Sequence, residues 1–206
     1  MLEPKPKANN KIKIIENFQY SITYSTPLTA FSYSSDTSFS DVLENRHSMK
    51  HQGEISLNEI GQLLFLSSRT KQRSKNNLGI YIEQRNTPSP GAMHTIDCLI
   101  SNVNENDWFV YDSRHHSLLA LDKNSCTELQ SFKADCISLA PECSGYLIWY
   151  VCDIERLGGK YTHPESLAYR ESGSLSATQG LIAQFLGLGY CTLGLTGNKY
   201  ANILSD

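Results

Sequence analysis

The fold is decided by the seven-residue run Tyr146–Cys152, YLIWYVC. Five of its seven residues are aromatic or β-branched, and none carries a charge. A run of this length is shorter than a typical buried helix, and its composition is typical of a strand that is covered on both faces. The run therefore predicts a central strand in a sheet with helices on both sides.

Helices are predicted on either side of this strand. A short helix starts at Ser40 and runs toward Arg46. A second covers residues 56–67, because a serine followed three residues later by a glutamate opens it as a capping box. A long helix covers residues 175–186, where apolar residues keep helical spacing. It stops at Gly187, since glycine favours the left-handed C-cap.

Further strands are predicted before the central run. Residues 96–100 form a buried strand, and residues 108–112 and 117–121 flank a polar turn as a hairpin does. Alternation over residues 20–24 indicates a short strand or an extended arm, and the basic stretch 69–77 is interpreted as a solvated loop. Together these elements predict an α+β sandwich around a mainly antiparallel sheet.

Composition narrows the class of protein. The chain has 206 residues, enough for one domain, and 21 acidic against 18 basic residues argue against a nucleic-acid partner. No apolar run approaches the ~18 residues of a membrane span, and the first residues lack the apolar stretch of an export signal. The six cysteines lack C-x-x-C or zinc-finger spacing, so we expect reduced packing residues and no metal site. A soluble, cytoplasmic protein is expected.

Three segments carry candidate chemistry. Residues 46–50, RHSMK, offer an arginine fork, a hydroxyl and a lysine charge, which are the groups that grip a phosphate. Residues 85–97, RNTPSPGAMHTID, place a proline- and glycine-rich loop before a strand, so that backbone amides can closely approach a planar ligand. The third segment, residues 160–197, holds the pair Lys160-Tyr161, the stretch 171–174 (ESGS) and the glycine-rich end 187–194 (GLGYCTLG).

Over residues 40–200 and in the same order, these segments resemble the nitroreductase superfamily of FMN oxidoreductases. The closest resemblance is to the SagB-type dehydrogenases, which oxidise azoline rings in modified peptides. The resemblance implies a nitroreductase-like three-layer sandwich, with a mainly antiparallel sheet flanked by helices. It also divides the chain into an N-terminal extension or arm, residues 1–38, and an FMN-binding domain, residues 39–206, which ends early compared with the family.

The same resemblance implies the site. Lys160 or Tyr161 would be the catalytic base, and backbone amides of the glycine-rich end would face the flavin N5 edge. The residues expected to bind FMN are Arg46, His47, Ser48, Lys50, Pro88, Ser89, Gly91, Leu193 and Gly194.

The implied activity is oxidation of azolines to azoles in a ribosomally made or assembly-line peptide. The expected partners are that peptide and a second subunit, in a homodimer, a heterodimer or a complex with a cyclodehydratase. Two alternatives stay open at this point. One is an NAD(P)H-dependent nitro- or quinone-type flavin reductase. The other is a non-catalytic partner subunit that keeps the fold without flavin.

Overall fold

A computed structural model describes residues 5–31, 36–50 and 53–204. Residues 1–4 and 32–35 of the expected arm lie outside the described residues. The helices are α1 (Phe39–Asn45), α2 (Leu57–Ser68), α3 (Lys123–Glu128), α4 (Gln130–Leu139), α5 (Ile154–Lys160) and α6 (Pro164–Leu186). The strands are β1 (Ile22–Pro27), β2 (Gln72–Lys75), β3 (Tyr81–Gln84), β4 (Ile96–Asn102), β5 (Phe109–Asp112), β6 (Ser117–Leu121) and β7 (Tyr146–Cys152). Short 3₁₀ helices cover Pro90–Ala92 and Asn198–Leu204.

Five of these strands form one sheet, in the order β1-β6-β5-β4-β7, and every neighbouring pair in it is antiparallel. The predicted hairpin is confirmed as β5 and β6, with Val110 opposite Leu119. Strands β2 and β3 pair separately as a two-stranded hairpin. The expectation of a solvated loop over residues 69–77 is therefore wrong, because residues 72–75 pair with β3.

Strand β7 has the predicted bounds but not the predicted place. It pairs with β4 on one side and is the edge strand of the sheet, so the prediction of a central strand is wrong. Its apolar character has another cause. Leu147 and Trp149 face one helical layer, whereas Ile148 and Tyr150 face the other. An edge strand sandwiched between two layers needs apolar residues on both faces, as a central strand does.

The two faces of the sheet are covered by different helices. On one face, Leu99 and Trp149 pack with Phe132 of α4 and Tyr200 of the final 3₁₀ helix. On the other, Ile100 packs with residues of α2 and α6. The molecule is thus a mixed α/β three-layer sandwich around an antiparallel sheet, as predicted.

Local signals explain which helices were foreseen. Helix α2 is opened by the reciprocal bonds of Ser56 and Glu59, and α6 ends at Gly187 in the left-handed conformation, φ 71°. Helix α1 also lies where expected. Helices α3, α4 and α5 were not predicted. Helix α5 contains Gly158-Gly159, and glycine opposes helix formation, so tertiary contacts must stabilise it.

Candidate functional site

The loop 88–94, PSPGAMH, adopts a conformation that needs support from its surroundings. Gly91 has φ 61°, and Ala92 and His94 also take positive φ, 55° and 48°. A left-handed backbone costs a residue with a side chain about 1–2 kcal/mol. Such strain persists where surrounding contacts over-determine the conformation, and it often gathers at functional sites. The loop is therefore a candidate functional element.

Hydrogen bonds from three directions hold this loop. The main-chain N–H of His94 donates to the hydroxyl of Ser89 at 2.8 Å. The His94 ring nitrogen Nε2 lies 3.0 Å from the main-chain oxygen of Glu83, and the Arg156 guanidinium donates to the carbonyl of Met93 at 2.8 Å. Burial, together with the charge of nearby arginines, lowers the pKa of His94 to about 4. The ring is therefore neutral at pH 7 and serves as a structural anchor.

A buried carboxyl group lies behind the loop. Glu171 of α6 accepts hydrogen bonds from the hydroxyls of Ser89 and Thr95, the latter at 3.5 Å. Burial raises the pKa of Glu171, and the bond from Ser89 opposes that rise. In the sequence, Glu171 stood out only as the first residue of the stretch 171–174, ESGS. Its contact with Ser89 makes it a support for the loop.

A second buried carboxylate fixes the hairpin that leads into the loop. Glu83 of β3 lies 2.6 Å from Arg85, 3.2 Å from Arg114 and 3.5 Å from Arg73, and it accepts from the Thr70 hydroxyl at 2.9 Å. Burial raises the pKa of Glu83, but the Arg85 guanidinium and the other donors outweigh it and bring the pKa to about 2. The charged cluster therefore ties β2 and β3 to the β5–β6 turn. Sequence reasoning missed this cluster.

The loop meets the predicted catalytic pair at Gly91. A Cβ atom added to Gly91 would collide with Lys160 Nζ and would lie 2.5 Å from the Tyr161 hydroxyl oxygen. Lys160 ends α5, and Tyr161 turns into extended backbone at φ −124° and ψ 143°. This change of conformation lets two adjacent side chains reach the same glycine. Both side chains are half-buried, with Lys160 Nζ 5.1 Å from the Tyr161 ring centre.

The predicted phosphate-binding segment lies elsewhere, in the exposed chain that follows α1. Arg46, His47, Ser48 and Lys50 are all exposed there. The main-chain N–H of Met49 donates to the carbonyl of Tyr190 at 3.0 Å. This bond joins the segment to the glycine-rich end, residues 187–194. Two of the three sequence segments expected to bind FMN are thus neighbours in the fold.

A cavity of about 590 Å³ opens beside these two segments. Its volume lies in the range of small-molecule and cofactor sites, about 300–1,000 Å³. Lys50 and Leu193 line it, whereas Arg46, His47, Ser48 and Gly194 are exposed chain next to lining residues. Its long wall is the β7 edge, and α4 and the final 3₁₀ helix supply Cys136 and Ala201.

A chain of hydroxyl groups runs along the cavity wall. Tyr150 donates to the Gln179 side-chain oxygen at 2.6 Å and lies 2.7 Å from the Tyr190 hydroxyl. Ser176 links Tyr190 to Thr192, at 3.2 and 3.3 Å. Burial raises the pKa of both phenols, so they stay neutral. The wall therefore offers neutral hydroxyls that can bond to a polar ligand edge, and the charged residues Lys50 and Glu165 also line the cavity.

The predicted site residues thus fall into two sets. One set gathers Ser89, Gly91, Lys160 and Tyr161, with Pro88 exposed on the same loop. The other is the exposed segment 46–50 with the glycine-rich end. Among the residues that the structure describes, no hydrogen bond and no shared cavity joins the two sets. Within the described part of one chain, the two sets therefore remain separate.

Comparisons with known proteins agree with the fold. A crystal structure of a provisionally assigned nitroreductase from Ralstonia eutropha JMP134 superimposes with a TM-score of 0.63 at 17% identity, covering 94% of this chain and 90% of that one. The E. coli microcin synthetase McbBCD complex, with truncated pro-MccB17 bound, matches with a TM-score of 0.55 at 19% identity, over 85% of this chain and 69% of that chain. No protein-family model and no curated protein matches the sequence. The chain therefore has the nitroreductase fold.

No helix within the described ranges combines the length and apolar character that crossing a membrane requires.

Proposed function

We propose that the protein is an FMN-dependent dehydrogenase that oxidises azoline rings to azoles in a ribosomally made or assembly-line peptide. One observation carries the proposal. The Lys160 amine and the Tyr161 hydroxyl converge on Gly91, inside the loop 88–94 that resembles the SagB-type signature. A basic amine and a phenol beside a rigid glycine loop suit proton removal from a small ring held there.

The residues of the cavity region fit FMN. Arg46 and Lys50 are exposed cations that can bind its phosphate, and Ser48 adds a hydroxyl donor. The apolar walls suit the flavin ring, and the amides of Leu193 and Gly194 are the proposed donors to its N5 edge. His47 extends the same exposed segment. When bound, FMN would supply the hydride acceptor that the amino acids lack.

The protein's own contribution is proton transfer and orientation. An azoline becomes an azole when a ring carbon loses a hydride and the neighbouring atom loses a proton, whose bonding electrons form the new double bond. Lys160 is the proposed acceptor of that proton, and the Tyr161 hydroxyl positions the ring. Ser89 keeps the loop in place, because it bonds both to His94 and to the buried Glu171. Pro88 lies exposed on the same loop.

A second subunit would complete the site. Because segment 46–50 and loop 88–94 do not meet within one chain, we propose that the first faces the second across an interface. The partner is a second copy or a related subunit, and the assembly includes a cyclodehydratase when the peptide is processed. Light scattering of the FMN-loaded protein tests this, and a monomer that binds FMN tightly would contradict it.

Turnover of an azoline peptide by single variants tests the activity. Lys160→Ala should lower azole formation by about 10²–10⁴-fold, the usual contribution of a positioned base, while FMN content stays unchanged. Tyr161→Phe removes the hydroxyl group but keeps the aromatic ring, so it tests the role of the hydroxyl alone. Lys123 is an exposed lysine on α3, and Lys123→Ala is the control.

Two outcomes would refute the proposal. If the flavin is reduced by NADPH but never by the peptide, the protein is a flavin reductase. If purified protein neither carries nor takes up flavin, it is a non-catalytic partner subunit.

A further inference from the structure

The N-terminal segment 7–13 lies directly against the end of α5, which carries the Lys160-Tyr161 pair. Main-chain N–H groups of Asn9 and Lys13 donate to the carbonyls of Lys160 and Gly159, at 2.8 and 3.0 Å. Lys7 and Thr162 exchange further bonds, and Ala8 forms a β-bridge with Tyr161. The two stretches therefore form a short antiparallel ladder.

Asn9 adds a side-chain contact to this ladder. Its amide nitrogen Nδ2 donates to the carbonyl of Gly158 at 2.7 Å and approaches that of Gly159 at 3.3 Å. The last carbonyls of any helix lack partners within the helix. Those of Gly158, Gly159 and Lys160 are satisfied by Asn9 and Lys13, so this distant segment acts as the C-terminal cap of α5.

The helix needs such a cap. Helix α5 has only seven residues, and two of its last three are glycines, each costing about 1 kcal/mol relative to alanine. Isolated helices of this length are not stable in water. Gly159 is also required by the close approach, because a Cβ there would lie 2.5 Å from the Lys13 carbonyl oxygen. Beyond this segment, the main-chain N–H of Phe18 donates to the carboxylate of Asp153, the N-cap of α5, at 3.1 Å.

We infer that segment 7–13 is a strap that sets the position of the Lys160 amine, and that Asn9 is its principal positioning residue. The inference rests on the proposed function, in which Lys160 is the base. Misplacing a reacting group by about 1 Å can cost on the order of 10²-fold in rate. A frayed last turn of α5 would displace Lys160 by moving its backbone, while the distant FMN segment 46–50 stays intact.

The test compares Asn9→Ala with Asn10→Ala, a matched change at an exposed neighbouring asparagine. Two measurements need no turnover. Amide hydrogen exchange at Tyr161 and Thr162 should accelerate about tenfold in Asn9→Ala and not in Asn10→Ala, since local opening controls exchange. The rate at which an amine-reactive reagent labels Lys160, measured by mass spectrometry, should also change in Asn9→Ala and stay unchanged in Asn10→Ala. If both rates stay at the wild-type value, the strap is refuted whatever the activity.

The third measurement concerns catalysis. In Asn9→Ala, kcat for azoline oxidation should fall about 10–100-fold, with KM and FMN affinity unchanged. Adding Asn9→Ala to Lys160→Ala should cost nothing more, because the positioned group is already gone. Altered exchange with an unchanged kcat would overturn the positioning role. A wild-type protein that binds FMN but never oxidises the peptide would refute the proposed function alone. In that case the exchange and labelling rates would still decide whether segment 7–13 positions Lys160.

Discussion

Replacing Gly91 by alanine separates the strain of the loop from its contact with the proposed catalytic pair, Lys160 and Tyr161. Gly91 sits at φ 61°, and its missing Cβ leaves room for the Lys160 amine and the Tyr161 hydroxyl. In Gly91→Ala the methyl group would occupy that room. Because both obstructing atoms are ends of flexible side chains, they can swing aside and the protein should still fold.

The cost in stability follows from the backbone alone. Left-handed backbone penalises alanine by about 1–2 kcal/mol, which for a chain of this size lowers the Tm by roughly 2–8 °C. The matched control is Gly79→Ala, in the turn between β2 and β3 and outside both sets of predicted site residues. Gly79 has φ 75°, and an added Cβ would lie 3.3 Å from the end of the exposed Ile14 side chain, which can move, so the variant carries a comparable backbone cost without the collision with Lys160 and Tyr161.

The two variants should differ in catalysis. Both should lose similar Tm by differential scanning calorimetry. Only Gly91→Ala should lose azoline turnover, by up to the ~10²–10⁴-fold that a positioned base contributes. If Gly91→Ala keeps the wild-type rate, or if Gly79→Ala loses as much activity, the convergence of Lys160 and Tyr161 on Gly91 plays no part in catalysis.

Two other predictions address FMN binding and pH. Arg46→Ala should weaken FMN binding roughly 10- to 150-fold in a flavin fluorescence titration, from about 1.5–3 kcal/mol for a charge-assisted hydrogen bond. An affinity equal to that of the control Lys123→Ala would exclude Arg46 as a phosphate ligand. Glu83 has its pKa lowered from 4.5 to about 2, so its stabilising effect is complete above pH 4.5 and is lost as the pH falls through 2. Glu83→Gln should therefore lower the free energy of unfolding, measured in urea at pH 7, by roughly 3 kcal/mol. The unfolding free energies of the two proteins should converge near pH 2. A difference between them that does not depend on pH would show that the ion pairs of Glu83 are not its source.

Elements with local signals were predictable from sequence. The bounds of β7, the capping box of α2 and the glycine stop of α6 depend on residues within a few positions of each other. The position of β7 at the sheet edge was not predictable, because apolar residues on both faces indicate two covering layers and say nothing of strand neighbours.

In the candidate site too, some features follow from local sequence and others only from the fold. Motif resemblance singled out Gly91, Lys160 and Tyr161, but their contact depends on the fold of the chain between them. The two glycines before Lys160 lie in a helix whose end bonds to residues about 150 positions earlier in the chain, so local sequence could not indicate that helix. Glu83 is buried against Arg73, Arg85 and Arg114, and only Arg85 is near it in sequence, so the cluster depends on the pairing of β2 with β3 and on the β5–β6 turn.

The proposed function requires this chain to pass a hydride from an azoline to FMN. The most direct test mixes FMN-loaded protein with an azoline peptide in the absence of oxygen. We predict that the visible absorbance of oxidised flavin is lost in proportion to peptide added, and that the peptide loses the mass of one hydride and one proton. A flavin that stays oxidised with the peptide, yet is reduced by NADPH, would contradict the account.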